Sequence, residues 1–102
     1  MNQPNFEPEG AGRSIHKRLV EIRNQRGLHA RAAARFVKTI DGLEAEVTVV
    51  KGDMEVSGRS IMGLMMLAAG PGCVVEIRAE GRDAALALDR LGQLIDRKFD
   101  EE

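Results

Sequence analysis

The sequence predicts an α+β domain: an open-faced two-layer sandwich in which a four-stranded antiparallel sheet carries three helices on one face, in the order β-α-β-β-α-β-α. Three observations lead there. Four short segments alternate apolar and polar residues, which gives each strand one face for a core and one for water. Two longer segments repeat their apolar residues at helical spacing, and a short, almost wholly apolar segment lies between them. Glycines interrupt the chain between most of these segments. With 102 residues, 43% of them hydrophobic, the chain has the size of one domain, which buries roughly 60–70% of its unfolded surface and can be stable without disulfides or a structural metal.

The elements follow in order. Residues 1–16 hold two of the three prolines and show no periodicity, so they read as a flexible extension, with the folded domain running from 17 to 102. Between Arg18 and Arg23, Val20 and Ile22 fall on one face and Glu21 and Arg23 on the other, the pattern of a half-buried strand. From Ala30 to Asp41, the residues Ala33, Phe36, Val37 and Ile40 keep helical spacing and Gly42 suits the stop. Ala45, Val47 and Val49 then alternate with Glu46 and Thr48, and Lys51-Gly52-Asp53 turns the chain into Met54–Ser57, a hairpin. Ser60 to Ala69 forms a short helix stopped by Gly70-Pro71-Gly72, and Val74 to Ala79 is the fourth strand. Asp83 caps a last helix striped by Ala84, Ala87, Leu88, Leu91, Leu94 and Ile95. The acidic end 100–102 opposes the negative helix terminus, so fraying is expected there.

Composition narrows the function. The charge of −1, from 15 basic and 16 acidic residues, offers no global field for nucleic acid or an anionic membrane, and three Phe with no Tyr or Trp make a poor base-stacking platform. The longest apolar stretch, Ile61 to Ala69, is far shorter than the roughly 20 residues that cross a bilayer. The N-terminus lacks the basic start and apolar run of an export signal. A single cysteine, Cys73, cannot form an internal disulfide, and no Cys/His cluster suggests a metal, which fits a reducing compartment, the cytoplasm.

Chemistry is expected at His29, where the chain passes from loop to helix. A helix start presents unpaired backbone N–H groups and a positive dipole end, which favour an anion such as a phosphoryl group. Unprotonated imidazole is a nitrogen nucleophile, and Arg31, two residues on, can stabilise phosphoryl oxygens with charge-assisted hydrogen bonds. Spacing alone leaves open that both are ordinary helix-boundary residues. No Walker-type loop or paired metal-binding carboxylates accompany them, so nucleotide hydrolysis is unsupported.

Gly27-Leu28-His29-Ala30-Arg31 with Ala32-Ala33, and then Ser57-Gly58-Arg59-Ser60-Ile61-Met62-Gly63-Leu64 about thirty residues later, resemble in the right order the two motifs of the HPr family, the histidine phosphocarriers of bacterial phosphotransferase systems. The resemblance extends from Lys17 through the last helix. It implies that His29 receives a phosphoryl group derived from phosphoenolpyruvate, through enzyme I, on its Nδ1 atom and passes it to a IIA-type protein. It further implies that Arg31 belongs to the active centre and that the sheet order is 1-4-2-3. The chain would then be a monomeric carrier that works stoichiometrically with partner enzymes, is no enzyme itself, and needs neither cofactor nor metal. One departure stands out: HPr proteins commonly have proline after the arginine, where this chain has Ala32, itself a strong helix former.

Ser60 falls where a helix N-cap is expected, a role that contributes about 1 kcal/mol; the resemblance adds phosphorylation by an HPr kinase. In the helix that follows, Leu64 and Leu67 are expected in the core, and Ile61, Met62 and Met65 on a partner-docking surface, because flexible methionines adapt to several partners. The alternative function is a regulatory binding module acting mainly through the Ser60 phosphorylation state. The sequence leaves open whether the pathway serves sugar transport or nitrogen regulation.

Overall fold

The structure, a computed structural model, describes residues 15–101. The strands are β1 (Ile15–Glu21), β2 (Glu46–Lys51), β3 (Met54–Ser57) and β4 (Val74–Glu80); the helices are α1 (Ala30–Thr39), α2 (Ile61–Met66) and α3 (Ala84–Asp96), and a 3-10 turn, Lys98–Asp100, follows α3. All pairings are antiparallel and the sheet order is β1-β4-β2-β3, the order that the resemblance implied. The three helices cover one face of this open sheet.

Alternation in the two central strands explains why only one face is covered. Val47 and Val49 of β2 and Val75, Ile77 and Ala79 of β4 are buried, while Glu76 and Arg78 pair on the opposite face at 3.1 Å. Onto the apolar face pack Phe36 of α1 and Ile40 at its C-cap, Leu64 of α2 and Leu67 at its C-cap, and Leu91 and Ile95 from α3. At about 1.5–3 kcal/mol for each fully buried large side chain, this one layer supplies most of the force holding the sandwich together. Gly52 in the left-handed region (φ 58°) allows the two-residue turn between Lys51 and Met54.

The structure corrects the sequence reading at several places. β1 starts at Ile15, so Ile15 and His16, assigned to the extension, are strand residues paired with Glu80 and Ala79. Their pairing depends on the length of β4 and not on their own side chains, which is why alternation missed it. Residues 1–14 lie outside the described residues. Ile22 lies past the strand yet is buried, its N–H donating to Cys73 O at 2.8 Å. Asp83 occupies the N-cap position of α3, but its carboxylate accepts the Glu44 N–H at 2.8 Å instead of capping its own helix.

Where fraying is expected, residues 98–101 fold back onto the domain; Glu102 lies outside the described residues. Lys98, Phe99 and Asp100 turn the chain back with positive φ angles of 57°, 57° and 60°, a conformation that costs about 1–2 kcal/mol per residue. Burial of Phe99, 0% exposed, and a hydrogen bond from Arg35 Nη1 to its carbonyl hold the turn against α1 and α3.

Candidate functional site

The loop 24–28 is shaped by its own short contacts. Asn24, 1% exposed, donates from Nδ2 to Gly27 O at 2.8 Å, and Gly27 adopts φ 64°. A Cβ on Gly27 would sit 2.3 Å from Ala69 O and 2.8 Å from Gly70 Cα, so only glycine permits this approach to the segment after α2. Leu28 N then donates to Ala69 O at 3.0 Å. The loop is thereby pinned just ahead of the helix.

His29 is the N-cap residue of α1, with extended φ and ψ of −78° and 179° and no side-chain cap bond. Its carbonyl accepts from Ala33 N at 2.8 Å. That bond leaves the N–H groups of Ala30, Arg31 and Ala32 outside the intrahelical ladder, the arrangement that favours an anion. The imidazole is therefore free of capping duty and available for chemistry.

The ring is 18% exposed, and its Nε2 is in hydrogen-bond contact with Oε2 of Glu101. The same oxygen accepts from Asn24 Nδ2 at 3.0 Å. Burial pushes the Glu101 carboxyl up, but the hydrogen bonds from His29 and Asn24, aided by the charges of His29 and Arg26, outweigh it and hold the group below the usual glutamate range. Asp100 is also held low, chiefly by its hydrogen bond from Arg97.

Two clefts meet at His29. One, of about 460 Å³, is lined by Arg26, His29, Arg31, Arg35, Asp100 and Glu101. The other, of about 300 Å³, is lined by Leu28, His29, Met65 and Ala68 among others and reaches α2. His29 thus borders both a mainly basic cleft suited to phosphoryl oxygens and a mainly apolar one suited to a protein surface, with Arg26 shared between them.

The structure brings His29 and Arg31 together on the first cleft, and Arg31 makes no hydrogen bond or ion pair among the described residues. Ser60 Oγ accepts the Gly63 N–H at 2.9 Å, as an N-cap should, and Ser60 lines neither cleft. Leu64 of α2 and Leu67 at its C-cap are buried as expected, while Ile61, Met62 and Met65 are 41%, 71% and 40% exposed. Met66, 66% exposed, extends the same apolar patch and was not singled out from the sequence. Asn24, Arg26 and Glu101 were missed as well. The apolar Phe99, following Ile95 at helical spacing, is the signal that would have placed the acidic end near the core. Among the described residues no group of side chains is arranged to hold a metal ion, and no helix is long and apolar enough to cross a membrane.

Comparison with known proteins agrees with this geometry. Residues 16–97 match the family profile described as the PTS HPr component phosphorylation site. The phosphocarrier protein HPr of Neisseria meningitidis serogroup A is 48% identical over 85 residues, covering 83% of this chain and 96% of the relative. The phosphocarrier protein NPr of Shewanella violacea is 42% identical over 85 residues, covering 83% and 93%. Among solved structures, HPr-C-His from Thermoanaerobacter tengcongensis superposes with a TM-score of 0.81 at 42% identity, covering 85% of this chain and 98% of that one.

Proposed function

The chain belongs to the HPr family of phosphocarriers of the phosphotransferase system, and on that premise we propose that His29 is the residue that carries the phosphoryl group. The supporting observation is the placement of this imidazole at the start of α1, uncommitted to capping and flanked by the basic cleft. The group arrives from enzyme I and leaves for a IIA-type protein, with Nδ1 as the linked atom. Arg31, without a hydrogen bond or ion pair among the described residues, stabilises the phosphoryl oxygens as charge shifts between the two proteins. Catalysis on the carrier is a matter of position and charge, so no cofactor enters the step.

The partners reach His29 over α2. Ile61, Met62 and Met65 form the docking surface, and Met65 lines the apolar cleft beside the ring. The carrier works as a monomer in the cytoplasm. Ser60 is the regulatory site: a phosphate placed by a kinase at the edge of this surface would add negative charge where partners dock.

The test is incubation with phosphoenolpyruvate and enzyme I. An acid-labile phosphate should appear on the protein, be absent from His29→Ala, and form slowly on Arg31→Ala. An adduct that persists in His29→Ala would refute the assignment.

A further inference from the structure

Glu101 reaches His29 from the far end of the chain, through a turn that bends back on itself. The hold on this carboxylate is specific. Phe99 anchors the turn in the core, Arg35 binds the Phe99 carbonyl, and buried Asn24 donates to the same Glu101 oxygen that faces the imidazole. Asn24 also bonds Gly27 O two residues ahead of His29, so one amide ties the carboxylate to the loop that carries the histidine. Three successive residues in the left-handed region persist here because the surrounding contacts determine them.

We propose that Glu101 is a positioning residue for phosphoryl transfer, fixing the His29 ring with its hydrogen on Nε2 so that Nδ1 presents a lone pair to the phosphoryl donor. The inference rests on the phosphocarrier reading of His29 and adds a device that the motif around His29 does not contain. An ionised carboxylate only accepts hydrogen bonds, so the nitrogen facing it must be the donor. The other nitrogen is then the nucleophile. A histidine oriented by a carboxylate on its second nitrogen is a recurring way to set ring direction and basicity.

The step balances without a proton transfer. The Nδ1 lone pair forms the N–P bond as the bond from phosphorus to the donor atom breaks, its electron pair leaving with the donor. Nε2 keeps its hydrogen, and the ring gains positive charge directly opposite the Glu101 carboxylate. In onward transfer the N–P electron pair returns to Nδ1 and the ring is restored. Glu101 therefore steadies the ring in both states and never touches the phosphoryl group.

The experiment compares the full chain with Glu101→Ala and Glu101→Gln by two readouts: ¹⁵N chemical shifts of the His29 ring nitrogens, and the rate of phosphoryl uptake from enzyme I. Glu101→Ala should bring the two ring nitrogens toward averaged shifts and slow uptake about tenfold, the usual loss when such an orienting partner is removed. Glu101→Gln, whose amide oxygen still accepts, should restore the ring-nitrogen shifts and part of the rate. A purely structural role for Glu101 would leave the ring shifts alone; shifts unchanged in Glu101→Ala, with uptake within twofold, overturn the proposal. The ring readout needs no phosphate. If the parent protein took up none, the carrier reading would fall while the shifts still decided the role of Glu101.

Discussion

Replacing Gly27 with alanine tests how His29 is held, and the structure sets the size of the effect. The new Cβ would meet Ala69 O at 2.3 Å and Gly70 Cα at 2.8 Å, both backbone atoms that cannot swing aside. Alanine in the left-handed region costs about 1–2 kcal/mol. Separating the loops to an ordinary contact breaks the hydrogen bond from Leu28 N to Ala69 O, a further loss of about 0.5–1.5 kcal/mol. The sum, about 1.5–3.5 kcal/mol, leaves a typical domain folded but lowers Tm by roughly 6–28 °C. The required opening is about 1 Å, a misplacement that can cost about a hundredfold in a transfer reaction. Gly42→Ala is the control, since Gly42 also has positive φ, 85°, with nothing within 4 Å of its Cβ position; it should lose only the strain energy and keep its transfer rate. Urea unfolding and phosphoryl uptake from enzyme I measure the two effects. If Gly27→Ala lost no more stability than Gly42→Ala and transferred at the parent rate, the account of a histidine placed by loop contact would be wrong.

The division of labour in α2 predicts opposite outcomes for neighbouring residues. Leu64→Ala, at a site 0% exposed, should cost about 2–5 kcal/mol in urea unfolding; Met62→Ala, 71% exposed, should cost less than about 0.5 kcal/mol yet weaken enzyme I binding in calorimetry, and unchanged binding would remove Met62 from the docking surface. The lowered Glu101 carboxyl predicts an acid limit. In the folded state it ionises below the ordinary glutamate value of about 4.3, so its stabilisation is fully present above that value and is lost as pH falls through the lower folded one. Against the surrounding His29, Asn24 and Arg26, with Arg23 and Lys98 lining the adjoining cleft, a ¹³C titration of its carboxyl should give a midpoint under the ordinary value. A midpoint at or above it would show that burial, not hydrogen bonding, dominates.

Whether an element was readable depended on where its cause lies. β2, β3, β4 and α1 are specified by side chains within each segment, and alternation or helical spacing located them to within a few residues. β1 is an edge strand whose extent follows its partner β4, so its own pattern placed it three residues late. Arg59 entered the sequence reading only as part of a motif; its guanidinium donates to Ile40 O at 3.2 Å and to Leu43 O and Ala45 O at 3.0 Å, closing the C-terminal end of α1. Gly92 gave no signal at all, yet the Arg18 guanidinium, which donates to Leu88 O at 3.3 Å, lies over this position, 2.4 Å from where a Cβ would be, so a side chain there would push the end of the arginine aside. These are contacts between distant parts of the chain, which periodicity does not encode.

The same distinction runs through the site. That His29 begins a helix is local, and loop, glycine and apolar stripe state it together. How the ring is aimed is not local, because three separate pieces of chain meet there: the loop 24–28, the Ala69 carbonyl beyond α2, and the turn ending in Glu101. Each comes from an element whose placement depends on the shared core, α2 through Leu64 and Leu67 and the turn through Phe99. A carrier must present its nucleophile to two different proteins without either one reshaping it. On the role proposed for His29, a ring 18% exposed, held by Glu101 and bordered by an apolar and a basic cleft, would meet that requirement with rigidity supplied by the fold, leaving partner choice to the exposed methionines and the transfer chemistry to the buried contacts.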